Sequence, residues 1–211
     1  QEVDKSQEQL DEVNKKILEC AREEFLEKGY KDASMRSIAK KAGYTTGILY
    51  GRFADKDQMF RALVDDGAEQ FYNYFYDAQE NFAGREPEQQ VKGLHGFVDE
   101  KVGRMIDIIY DNFSAFKLIV CCSGGSSYEH YLDRVIALEM KHTDRYIQML
   151  RQQGYEIEPI RNDLNHMLAS ALFKGIFEAV AHDLPKEEAA DYIRKIEIFF
   201  HAGWDKLFGL I

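Results

Sequence analysis

Residues 34–56 read SMRSIAKKAGYTTGILYGRFADK, and this stretch decides the fold. Met35, Ile38, Ala39 and Ala42 recur at spacings of three and four, the period of one helix face, and Ser34 stands before them as an N-cap. Gly43 supplies the left-handed conformation that closes such a helix. Thr45 then caps a second helix running from Thr46 to about Arg52, with Ile48 and Leu49 turned inward and Thr46, Tyr50 and Arg52 turned outward. Two short helices joined by the turn Ala42-Gly43-Tyr44-Thr45 form a helix-turn-helix, whose second helix is the candidate reader of a DNA groove.

Working outward, residues 1–10 are a polar lead-in. Val13, Ile17, Leu18, Ala21 and Phe25 then mark a helix with one apolar stripe that ends at Gly29. That stripe packs across the two following helices as a three-helix domain with a core of Phe25, Ile38, Leu49, Phe53 and Phe60. On the other side, Asp55 and Gln58 form a capping box that opens a long helix over 55–81. Its later aromatic run, Phe71, Tyr72, Tyr74, Phe75 and Tyr76, leans on a second domain, so one helix belongs to both. Helices follow over 87–110, 113–122, 128–153, 160–180 and 189–208, separated by breakers such as Ser123-Gly124-Gly125-Ser126 and Gly154. The expected fold is all-α with about nine helices: a helix-turn-helix domain over 1–60 and a second helical domain over 61–211.

Apolar residues make up 45% of the 211 and charged residues 30%, the balance of a well-packed globular chain. A net charge of −10 argues against a protein that coats nucleic acid non-specifically. The segment 28–61 is nevertheless basic, with eight Lys or Arg against three acids. A basic end on an acidic body orients a protein on phosphate. Cys20, Cys121 and Cys122 make no disulfide framework, the N-terminus carries no secretory pattern, and no apolar run reaches membrane length. A soluble, cytoplasmic protein is expected.

The chain lacks a glycine-rich loop after a strand, a nucleophile elbow and an HExxH motif, so nothing marks it as an enzyme. His95, His130, His142 and His166 have no metal-site spacing, and the adjacent Cys121-Cys122 pair reads as small hydrophobes; no metal or cofactor is expected.

Two late segments have apolar faces wider than one partner helix needs. Leu164, Leu168, Ala171, Gly175 and Ala179 lie on the first, where Ala171, Gly175 and Ala179 recur every four residues and permit a close helix crossing. Ile196, Phe200 and Trp204 lie on the second. Two such helices from each of two chains make an intermolecular four-helix bundle; alternatively, they complete the subunit's own core.

The ordered set Gly29-Tyr30, Ser34-Met35-Arg36-Ser37-Ile38-Ala39-Lys40-Lys41-Ala42-Gly43, Gly47-Ile48-Leu49-Tyr50, Arg52-Phe53 and Lys56-Asp57 resembles the N-terminal signature of the TetR family of bacterial transcriptional regulators. Tyr44, Ile48, Arg52 and Asp57 depart from that pattern, which bears on the operator sequence rather than the class. The resemblance implies an all-helical homodimer paired through its last two helices, a palindromic operator, and a small effector that releases the DNA. On this basis Ser34, Arg36, Thr45, Thr46, Gly47, Tyr50, Arg52 and Lys56 are the DNA-contacting candidates, with Lys56 the leading phosphate contact.

The implied pocket draws on the middle helices. Phe75, His95, Met105, Ile109, Phe113 and Phe116 are candidate lining residues, together with Tyr128, Tyr131, His142, Tyr146, Phe173 and Phe177. This lining suits an apolar or aromatic molecule. The competing reading is a helical effector-binding or adaptor protein without specific DNA binding.

Overall fold

The computed structural model describes residues 2–209, with side chains from Leu10 onward. Among these residues run nine helices: α1 (Glu2–Asp32), α2 (Met35–Ala42), α3 (Thr46–Tyr50), α4 (Lys56–Ala83), α5 (Pro87–Asp111), α6 (Phe113–Cys122), α7 (Tyr131–Gln152), α8 (Asn162–Ala181) and α9 (Lys186–Leu207). They form two compact units. One comprises the chain up to Ala68 together with Ser114–His130, the other Glu69–Phe113 with the chain from Tyr131 on. The first part of α4 lies in one unit and the remainder in the other, so the division does not follow a linker.

In the first unit, α1 is helical from Glu2, through the stretch expected as a lead-in. It buries Ile17, Ala21 and Phe25 at four-residue spacing. Gly29 interrupts it at φ 73°, ψ 167°, a conformation that is essentially glycine-only, and the chain turns there. Ser34 caps α2, its oxygen accepting the Ser37 N–H at 3.1 Å. Gly43 closes the same helix at φ 78°, returning its N–H to the Ala39 and Lys40 carbonyls. The Thr45 hydroxyl caps α3 by accepting from the Ile48 N–H at 3.4 Å. At the start of α4 the Gln58 N–H donates to Asp55 at 2.7 Å, while the Gln58 side-chain oxygen accepts from the Ala54 N–H. Met35, Ile38, Ala39 and Ala42 of α2, Leu49 of α3, Phe25 of α1 and Met59 and Phe60 of α4 are all buried. Phe25 and Phe60 meet edge-to-face at 5.1 Å.

A buried carboxylate fixes α2 on α1. The Glu24 side chain is fully buried. It accepts from Lys28 at 2.8 Å and from the Ser37 hydroxyl at 2.9 Å, and lies 3.1 Å from Lys41. Burial alone raises a carboxylate pKa, but here the hydrogen bonds from Lys28, Ser37 and Lys41 outweigh it and hold Glu24 at about 2. The turns after α6 return to the same unit: the Ser127 N–H donates to Asp57 at 2.8 Å, and the Tyr128 hydroxyl donates to Asp65 at 2.7 Å. Those turns also delay α7, which starts at Tyr131 rather than Tyr128.

The second unit packs the rest of α4 with α5, α7, α8 and α9. Phe71 meets Phe177 at 5.9 Å, and Phe75 meets Phe173 edge-to-face at 5.5 Å, which accounts for the aromatic run late in α4. Ile147, Leu150, Ile157 and Phe208 form a separate cluster against Tyr146 and Trp204. Between α8 and α9, a Cβ at Gly175 would lie 3.4 Å from Ile196 Cδ1. That glycine therefore serves a close approach inside the subunit.

Replacing Glu24 with Gln removes the charged acceptor shared by α1 and α2 and should cost about 1–3 kcal/mol, several degrees in Tm. Because the folded pKa is depressed, the contribution of Glu24 is complete above its ordinary value of 4.5 and is lost as pH falls toward about 2. Circular dichroism melts between those limits should therefore show a steeper acid loss in the parent than in Glu24→Gln.

Candidate nucleic-acid interface and cavity

On α3 the core takes only Leu49, which is fully buried. Gly47, Ile48 and Tyr50 are exposed and Thr46 half-buried. Ile48, expected to point inward, is 41% exposed. A five-residue helix has one inward position per turn, and Leu49 fills it. Tyr50, at 56% exposed, likewise stands off the core. The surface so formed carries one hydroxyl from Thr46, one phenol from Tyr50 and an isoleucine side chain able to meet a thymine methyl. Ser34 and Thr45 spend a lone pair on capping, which leaves each hydroxyl hydrogen free to donate.

The cations divide sharply. Lys56 Nζ donates to the carbonyls of Tyr30 at 2.6 Å, Ala33 at 2.9 Å and Lys31 at 3.1 Å, and lies 4.4 Å from the Tyr30 ring centroid. An ammonium has three hydrogens, and these partners use all of them. Lys56, expected as the leading phosphate contact, ties the start of α4 to the end of α1. Arg52 is similarly occupied, donating to Asn14 at 2.7 Å and to the Leu10 carbonyl at 3.3 Å. Lys28 and Lys41 face Glu24, Lys41 also faces Glu27, and Arg61 pairs with Asp65. Arg36 and Lys40, four apart on α2, are exposed and make no ion pair among the described residues.

A cavity of about 110 Å³ lies within the second unit. Phe82, Phe97, Tyr146, Phe200, Trp204 and Phe208 supply its aromatic wall, and Gln79, Lys101, Glu139, His142, Glu197 and His201 its polar groups. Of the expected lining, only His142 and Tyr146 are here. Phe75, Met105, Ile109, Tyr131, Phe173 and Phe177 are buried against neighbouring helices. Phe113 lies tilted beside Tyr110 at 5.3 Å between ring centroids, and His95 lies at the surface with Nε2 3.5 Å from Asp205. Phe116 and Tyr128 belong to the first unit. Helical periodicity identifies a buried face but does not distinguish a face filled by another helix from one left open. Phe97, Lys101 and Glu197 were missed; the available signal was the carboxylate of Glu197 set among Ile193, Phe200 and Trp204 on one stripe.

The cavity's charges are strongly coupled to their surroundings. Lys101 is buried, with Nζ 3.8 Å from Glu139 and over the Phe75 and Phe97 rings at 5.2 and 5.4 Å. Gln79 donates to Glu139 at 2.6 Å. Burial pushes Glu197 up to about 7; Lys101 opposes the rise, and Glu139 and Asp99 add to it. Burial also pulls His142 below its ordinary value, as it does His201, where His95 and Lys101 act in the same direction. His142 Nε2 lies 3.4 Å from Glu80, yet neither ring nitrogen has a hydrogen-bond partner among the described residues. Burial pushes Tyr146 up to about 12.

Expected dimer residues also divide. Leu164 and Ala171 are exposed and Leu168 half-buried, whereas Ala179 is buried, Gly175 abuts Ile196, and Phe200 and Trp204 wall the cavity. The inward face of α9 is therefore spent within the subunit. Its outward face leaves Tyr192, Ile198 and Phe199 exposed, at 58%, 64% and 74%.

Residues 17–63, which carry the helix-turn-helix, match the model of the bacterial regulatory proteins of the tetR family. The HTH-type transcriptional regulator UidR of Escherichia coli (strain K12) is 28% identical over 191 residues, covering 89% of each chain. A TetR-like transcriptional regulator from Rhodococcus sp. RHA1 superposes with a TM-score of 0.52 at 18% identity, covering 93% of this chain and 96% of that one. A transcriptional regulator from Aquifex aeolicus VF5 gives 0.51 at 14% identity, over 89% and 99%. At those identities the structural likeness speaks to the fold. The segment 17–63 thus resembles the helix-turn-helix of the TetR family of bacterial transcriptional regulators, and the nine-helix architecture among the described residues is the fold of these solved structures.

Lys56→Ala should lower stability by about 1.5–3 kcal/mol, since three carbonyls lose a charged donor. Thermal melts test this; an unchanged Tm would return Lys56 to the pool of free cations.

Proposed function

We propose that this regulator is a repressor that binds a palindromic operator as a dimer and is released by a small, apolar or aromatic effector. The outer surface of α3, with Thr46, Gly47, Ile48 and Tyr50, carries the reading; Arg36 and Lys40 of α2 supply phosphate contacts beside it. Ser34 and Thr45 donate their remaining hydroxyl hydrogens to phosphate oxygens. Ile48 and Thr46 read base edges, an apolar contact to thymine being the natural use of an isoleucine at a groove.

Dimerisation uses the outward faces of α8 and α9. Leu164, Met167, Tyr192, Ile198 and Phe199 are exposed large apolar side chains there, more than isolated surface positions explain. Two-fold pairing places two recognition helices on half-sites about one turn, roughly 34–36 Å, apart. The effector occupies the cavity. Gln79, Phe82 and Ala83 on its wall belong to α4, the same continuous helix that begins at Lys56, so a ligand that shifts α4 alters the spacing of the two α3 helices.

Selection of bound fragments from the host's genomic DNA tests the central reading. A recovered palindrome supports it, and binding without sequence preference or salt dependence would favour the helical adaptor. Arg36→Ala should weaken binding to operator and unrelated DNA alike and reduce the slope of log affinity against log salt by about one, with Tm unchanged. Phe199→Glu should convert the dimer to a monomer at micromolar concentration in sedimentation runs; a persistent dimer would move the interface elsewhere.

A further inference from the structure

The polar groups of the cavity are unevenly partnered. Two carboxyl groups, Glu139 and Glu197, line it against one ammonium, Lys101; burial pushes Glu197 up to about 7, so near neutral pH it is divided between charged and neutral forms, and burial pulls His142 and His201 below their ordinary values. Glu139 is provided for, by Gln79 at 2.6 Å and Lys101 at 3.8 Å. Glu197 is not. Its residue is 8% exposed, and among the described residues no donor reaches its carboxylate within hydrogen-bond range. His201 Nε2, the nearest basic atom one turn on, stands 3.6 Å away. The remaining wall is aromatic.

We propose that the effector is a small organic cation, with an aromatic or apolar body seated against Phe97, Phe200 and Trp204 and an ammonium group that donates to Glu197. This rests on the cavity being the effector site. A buried carboxylate without a donor is costly, and a ligand ammonium supplies both the missing hydrogen bond and the missing charge. Aromatic faces favour the same head group through their quadrupoles, and Lys101 already lies over the Phe75 and Phe97 rings in this way. A ligand carboxylate would add a third acid to the two present. A neutral aromatic molecule would fill the space but leave Glu197 as it stands.

Trp204 is the chain's single tryptophan and lines the cavity, so its fluorescence reports occupancy directly. The full chain is titrated with phenethylamine, phenethyl alcohol and phenylacetate. The amine should saturate at concentrations about tenfold or more below the alcohol, the value of one charge-assisted hydrogen bond, and phenylacetate should produce no saturable change. Glu197→Gln should erase the amine's advantage and leave the alcohol's response in place. Thermal shifts of the unsubstituted protein by the three probes give the same ranking without any variant. An amine no better than the alcohol, including the case in which none of the three binds, or phenylacetate binding as tightly as the amine, overturns the proposal. Operator binding measured alongside separates the two levels. Release of DNA by saturating phenylacetate keeps the effector site and discards the cation. Cavity binding of the amine with the operator complex intact keeps the cation and discards the cavity's regulatory role.

Discussion

The Glu24 carboxylate is the constraint on which the DNA-binding end depends. A fully buried acid is tolerated only when its charge is matched, and here Lys28 from its own helix and Ser37 and Lys41 from α2 do so together. Ser37 is held twice, its backbone N–H by the Ser34 cap and its hydroxyl by Glu24, so the start of α2 is fixed in both position and direction. The turn at Gly43 then leaves α3 little choice of direction. A helix of five residues cannot hold itself together, and its orientation is inherited from that anchored neighbour and from Leu49.

The basic segment has two functions that composition cannot separate. Lys28, Lys41, Arg52, Lys56 and Arg61 all bind groups of the protein itself: Lys28 and Arg61 pair within α1 and α4, while Lys41, Arg52 and Lys56 join α1 to α2, to the turn after α3 and to the start of α4. Lys56 is the clearest instance, since it satisfies carbonyls that the end of α1 leaves open. Arg36 and Lys40 remain exposed. A small number of exposed cations on an acidic chain favours oriented over indiscriminate attraction to phosphate.

The cavity shows the opposite economy, because its polar groups are left short of partners. Glu197 has only His201 Nε2, at 3.6 Å, as a nearby basic atom, and both His142 nitrogens lack hydrogen bonds among the described residues, in a unit where Phe71 and Phe75 are paired with Phe177 and Phe173. Such groups lower stability, and they gather in one aromatic cavity rather than being spread through the unit. Wide apolar faces on α8 and α9 follow the same division. Phe200 and Trp204 look into the cavity, and Phe199, one position away, looks out.

The sequence by itself determined the helices, their caps and the core of the first unit. Ser34, Gly43, Thr45 and the Asp55–Gln58 box act through backbone groups within a few residues, and Phe25, Ile38, Leu49 and Phe60 declare a buried face by local period. Only the tertiary structure decided what each polar or aromatic side chain meets. Lys56 reaches carbonyls more than twenty residues away, Ile48 is outside because Leu49 already fills the one inward place, and Tyr128 joins the first unit because the turns after α6 reach Asp57 and Asp65. The cavity was illegible for the same reason. Periodicity reports that a side chain leaves water, whereas the choice between a neighbouring helix and an open space is made by elements distant in the chain, and it separated His142 and Tyr146 from ten residues that looked like them.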